Sequence, residues 1–103
     1  MKIIKCLSEL IEEELDDARK YIDLAMKWKQ DEPKVASLFA DLSSEEMGHV
    51  DELHRAVAEK IAAYRSSSGE PPKEMMVLYD YLHERHIADA TEIKIRQNMF
   101  RGE

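Results

Sequence analysis

Apolar residues at Leu7, Leu10, Ile11, Leu15, Ala18, Tyr21, Ile22, Ala25 and Trp28 recur at three- and four-residue spacing, with no Gly or Pro from residue 3 to residue 32. This pattern predicts an amphipathic helix over about 4–30. Gln30-Asp31-Glu32-Pro33 ends it and starts the next, because Pro is tolerated at a first helical position and acidic residues favour the positive end of a helix. Val35, Leu38, Phe39, Leu42, Val50, Leu53, Val57, Ile61 and Tyr64 form a second stripe, predicting a helix over about 34–65. Ser66-Ser67-Ser68-Gly69-Glu70-Pro71-Pro72 breaks it. Met75, Leu78, Tyr79, Leu82, Ile87, Ala90 and Ile93 mark a third helix over about 73–100. No segment alternates with a period of two, so the expected fold is all-α: a long antiparallel hairpin plus a third helix, in one domain over 1–103.

Polar residues interrupt two of these stripes. One face of the first helix reads Leu7, Ile11, Glu14, Ala18, Tyr21, Ala25 and Trp28; the second reads Phe39, Leu42, Glu46, His49, Leu53 and Val57. Glu14, Glu46 and His49 are therefore expected in the middle of apolar faces. The neighbouring Glu13 falls with Asp17 and Lys20, and Glu45 with Asp41 and Glu52, on solvated sides. Burying a carboxylate without a partner costs several kcal/mol, which calls for a compensating charge. A metal ion supplies one. A carboxylate and an imidazole at i and i+3 grip a single ion from one helix, and a glutamate on the facing helix adds an oxygen donor.

Each residue also has a plainer reading. Ser43-Ser44-Glu45-Glu46 fits a capping box, in which the second helix breaks and Glu46 satisfies backbone donors. His49 alone fits an interior histidine, and Glu14 a partner for a lysine. Gly48 costs roughly 1 kcal/mol in a helix interior relative to Ala, which points to a close backbone approach or to no role. Glu92 shares a stripe with Tyr81, Ala88, Ile95 and Met99, either near a metal entry path or simply reaching solvent. His83-Glu84-Arg85-His86 lacks the spacing of a zincin motif and reads as a surface pair.

Composition narrows the class. Fifteen Lys and Arg against 22 acidic residues leave a net charge of -7, which repels phosphate backbones, so no nucleic-acid partner is expected. No apolar run approaches the roughly 20 residues of a membrane span, and Met1-Lys2-Ile3-Ile4-Lys5 is too short for a signal peptide, so a cytoplasmic protein with no membrane partner is expected. Cys6 is the only cysteine, which excludes an internal disulfide and a four-thiolate metal site. A chain of 103 residues buries little core by itself, which predicts a homo-oligomer. In a symmetric pair, Glu14 and Glu46 of both copies are neutralised by two divalent ions.

Glu14 with Tyr21 forms Glu-x6-Tyr and Glu46-Met47-Gly48-His49 forms Glu-x-x-His, so residues of about 7–65 resemble half of a ferritin-like di-iron signature. Each motif occurs once, as in the encapsulated ferritins. That resemblance implies a four-helix bundle completed by dimerisation, with two iron ions per dimer at an inter-subunit ferroxidase centre that oxidises Fe(II) with dioxygen in iron storage or detoxification. Its implied roles are Glu46 bridging the irons, Glu14 binding one terminally, His49 ligating through one ring nitrogen, and Tyr21 bonding a ligand carboxylate or packing in the core. It also implies an encapsulin-type shell as partner and compartment, although Met99-Phe100-Arg101-Gly102-Glu103 departs from the hydrophobic targeting peptide common in that family. The ligand types equally suit manganese or a peroxide substrate. The rival class is a metal-free helical interaction module, phage or regulatory, with the three residues in an interface hydrogen-bond network.

Overall fold

The computed structural model describes residues 1–102 and consists of three α-helices: α1 Lys2–Trp28, α2 Pro33–Ser68 and α3 Lys73–Arg101. No strand occurs among the described residues. Pro33 opens α2 as expected, and the Glu32 N–H closes the preceding turn by donating to the Trp28 carbonyl at 2.8 Å. The serine run does not break α2. The Ser67 hydroxyl donates back to the Ala63 carbonyl at 3.1 Å, which keeps the last turn helical. The stop is Gly69, at φ +82°, a backbone conformation that side chains disfavour.

The hairpin of α1 and α2 supplies most of the core: Ile4, Ile11, Leu15 and Ala18 pack against Met47, Val50, Val57 and Ile61, with Ile93 of α3 joining them. Nearer the turn, Ile22 and Ala25 meet Ala40. Burying side chains of this size contributes about 1.5–3 kcal/mol for each large one. The buried row of α1 is Ile4, Ser8, Ile11, Leu15, Ala18, Ile22 and Ala25, and that of α2 runs through Ala36, Ala40, Ser43, Met47, Val50 and Val57. In the first part of α2 the row is turned slightly from the predicted face, because Ala and Ser fill the seam where the helices approach closely, and larger apolar residues are displaced to its shoulders.

Ser43 sits in that seam. Its hydroxyl donates to the Ala18 carbonyl across the helices at 2.7 Å and accepts from Gln97 Nε2 of α3 at 2.8 Å. The capping-box reading is thereby overturned, since α2 runs unbroken through Ser43 and the hydroxyl bonds another helix. α3 lies mainly along α1, held by the buried Ile93 and Gln97 and by the Arg19–Asp89 and Arg96–Asp23 ion pairs at 3.1 and 2.6 Å. Exposed pairs of this kind contribute about 0–1 kcal/mol each, so the buried contacts carry more of the docking.

The chain is a slab of 56 × 21 × 17 Å with a radius of gyration of 16.4 Å. A compact domain of this length has a radius near about 13 Å. Its accessible surface, 6853 Å², also exceeds the roughly 6,000 Å² expected of a folded monomer of its mass. Among the described residues, no helix is long and apolar enough to cross a membrane.

Candidate metal centre

The Ser43–Ala18 bond sets the register of the hairpin. One turn before Ala18, Glu14 of α1 falls opposite Glu46 and His49, which follow Ser43 on α2. His49 Nδ1 lies 3.4 Å from Glu14 Oε2 and 3.7 Å from Glu46 Oε2. A ligand atom from each of the three residues lies within 4.8 Å of the others. Two donors on a shared ion, about 2.1 Å from it and at right angles, stand about 3 Å apart, so this spacing lies close to a chelating one. Two carboxylates offer hard oxygen donors and −2 of charge; the imidazole offers a nitrogen. That set suits a divalent first-row transition ion.

The three residues sit on the shoulder of the core rather than inside it. The Glu14 and Glu46 side chains are 28% and 19% exposed, and His49 is 54% exposed. The expectation of three fully interior polar groups is corrected accordingly: the α2 row is turned by the small seam residues, and the carboxylates reach the rim. Partial burial still strips water from the carboxylates, and an imidazole between them meets only part of that loss.

The site faces away from α3. Glu12, Arg19 and Asp23 of α1 reach α3, whereas Glu14 projects about 200° round the helix from Glu12. On that open side Ile3, Leu10 and Trp28 of α1 and Val35 and Leu38 of α2 are exposed beside the site. Glu14, Glu46 and His49 of one chain provide too few donors to surround a six-coordinate ion, so the centre as one chain builds it is partial.

No family model, curated protein or solved structure matches this chain.

Other sequence candidates fall elsewhere. Tyr21 stacks on Phe39 with ring centroids 6.4 Å apart, and among the described residues its hydroxyl makes no hydrogen bond to Glu14 or Glu46. Its role is packing. Glu92 bonds Arg96 at 2.7 Å and lies 4.0 Å from Arg19, a surface ion network on the α3 side, remote in direction from the metal candidate. A Cβ built at Gly48 would meet nothing within 4 Å, so no backbone of the same chain approaches there. Cys6 is exposed.

His83 and His86 are not a surface pair. His86 is buried at 3% exposure and His83 is half-buried, and both meet His54 of α2, with ring centroids 5.3 Å (His83) and 5.9 Å (His86) from it. His54 Nε2, His83 Nδ1 and His86 Nε2 are sealed from water without a hydrogen-bond partner. Glu12 Oε1 stands 3.5 Å from His86 Nε2, at the outer limit of hydrogen bonding and off its line, so we read it as a charge contact. Burial pushes the His54 imidazole below its ordinary 6.5, and the neighbouring His83 and His86 push it further. Burial likewise lowers His86, against an opposing pull from Glu12. Sequence reasoning missed this cluster, although His54 falls between Val50 and Val57 on the buried row of α2.

Proposed function

We propose that this chain is one half of a ferroxidase: two copies pair through the open α1–α2 face, and Glu14, Glu46 and His49 of both complete a di-iron centre that oxidises Fe(II) with dioxygen. The observation that carries this reading is the convergence of Glu14, Glu46 and His49 from two helices to within 4.8 Å on an open, apolar-rimmed face. Exposed Leu10, Val35 and Leu38 give such a pairing an apolar surface to bury. The roughly 850 Å² of surface beyond that of an ordinary monomer is about what one partner contributes to a standard interface. The fold then becomes a bundle of hairpins in the ferritin-like manner, with α3 of each copy on the outside. Its place would be iron storage or detoxification.

In the pair, four carboxylates offset two Fe(II) substrates, which keeps charge balanced in a partly desolvated site. On this reading Glu46, the less exposed of the two carboxylates, and Glu14 would hold the iron through their oxygens. His49 presents Nδ1 toward both carboxylates, and its ring anchors the nitrogen donor of each half. Two Fe(II) each give one electron to dioxygen, which takes up two protons and leaves as hydrogen peroxide. The carboxylates would stabilise the ferric product, whose higher charge they offset more strongly than that of Fe(II).

Near-ultraviolet absorbance after adding Fe(II) in air tests the reading. Fe(III) should form well above the buffer rate, and Glu46→Ala or His49→Ala should return it to that rate. Oxidation at the buffer rate by the unaltered protein would leave a metal-free interaction module as the better account of the same apolar face.

A further inference from the structure

The two halves of α3 are fastened by different chemistry. Its C-terminal half is held by Ile93, by the Gln97–Ser43 bond and by the Arg96–Asp23 pair. None of these groups changes charge between about pH 7.5 and about pH 5.5. In the N-terminal half, ahead of the Arg19–Asp89 pair, the polar contacts are the Met1 amino group on Met75 Sδ at 3.1 Å and a set of imidazoles: His83 and His86 of α3 against His54 of α2, edge to face and tilted. Beside them, between the first turns of α1 and α3, an apolar cavity of about 610 Å³ lined by Ile4, Met75, Leu78 and Leu82 leaves this half thinly packed.

We propose that His54, His83 and His86 form an acid-sensitive latch, whose protonation frees residues 73–86 from the hairpin while residues 89–101, held by Arg19–Asp89, Ile93 and Gln97, stay docked. Uncharged imidazoles tolerate this contact. A proton on one ring places a cation within about 6 Å of a neighbouring ring with no water between, and a second proton adds direct repulsion. The charges facing the cluster are Glu12 of α1 toward His86, Asp51 of α2 toward His54 and Asp89 of α3 toward His86, with Tyr79 stacked neutral on His83. They are unevenly spread: two carboxylates face His86, whereas His54 has only the solvent-exposed Asp51.

The sign follows from proton counting. His54 and His86 hold protons more weakly when α3 is docked than when it is free, so the open chain binds more protons. Docking is complete above about pH 6.5 and weakens as pH falls below it. The latch lies on the opposite side of the hairpin from Glu14, Glu46 and His49 and does not depend on them.

Hydrogen–deuterium exchange on the full chain tests this. Corrected for intrinsic rates, exchange in residues 75–86 should rise at least about tenfold from about pH 7.5 to about pH 5.5, with residues 93–101 changing less than about twofold. His54→Gln/His83→Gln/His86→Gln, which stays neutral, should abolish the rise. Equal acceleration of both halves, or no acceleration, overturns the latch. Should the triple variant not fold, nuclear magnetic resonance titration of the unaltered protein decides: His54 and His86 titrating at or above the ordinary histidine value of about 6.5 while α3 is docked overturns it, and titration below that value supports it. A one-to-one zinc complex formed by the Glu46→Ala/His49→Ala chain and lost with His83→Gln would make the cluster a metal site instead, and also overturn the latch.

Discussion

At the scale of single residues, Ser43 ties three helices together through one hydroxyl, donating to Ala18 and accepting from Gln97. Ser43→Ala leaves the buried Gln97 amide nitrogen without its partner and removes the cross-helix bond to the Ala18 carbonyl, which keeps its bond within α1. A loss of about 1–3 kcal/mol in unfolding free energy is expected, read from the urea midpoint at unchanged slope. The candidate site was legible at this scale, because Glu14 and the Glu46/His49 pair break apolar rows at helical spacing. Its depth was not. Apolarity patterns weigh Val35, Phe39 and Leu42 above Ala36, Ala40 and Ser43, so in the first part of α2 the true row lay one position away from the apparent one, whereas Ile11, Leu15, Ala18, Ile22 and Ala25 of α1 are buried where the pattern put them.

Three helices could be read from the distribution of Gly and Pro, and their ends came within a few residues of those observed. The discrepancy at Ser66–Ser68 has a local cause: serine hydroxyls can bond the preceding turn, and only a glycine at positive φ ends it. Which face of α3 would dock could not be read, since its apolar residues are spread round the helix and Val77, Leu78, Tyr81 and Ile95 all remain exposed. Gly48 gives a test that belongs to α2. With open space around an added Cβ, Gly48→Ala should stabilise the isolated chain by about 0.5–1 kcal/mol, visible as a higher melting temperature. If the same variant weakens dimers measured by sedimentation, another copy's backbone passes at residue 48, beside Glu46 and His49.

For the whole molecule, the elongated outline and surplus surface make self-association the expected state. Leu38 is 54% exposed on the face that bears the site. Leu38→Asp should leave helix content intact, raise the dimer dissociation constant by at least about tenfold and reduce iron oxidation in step, as seen by sedimentation and absorbance on one sample. Retained dimers with full oxidation would move the contact elsewhere. The Ser43–Ala18 link has a further consequence, for errors in assembly. Sliding α2 by one turn along α1 shifts every facing pair by about 5.4 Å. Such a slip would part Glu14 from Glu46 and His49 and, in the same stroke, strand the amide of Gln97. A misthreaded copy would therefore lose the convergence of Glu14, Glu46 and His49 and one of the bonds that dock α3 in a single step.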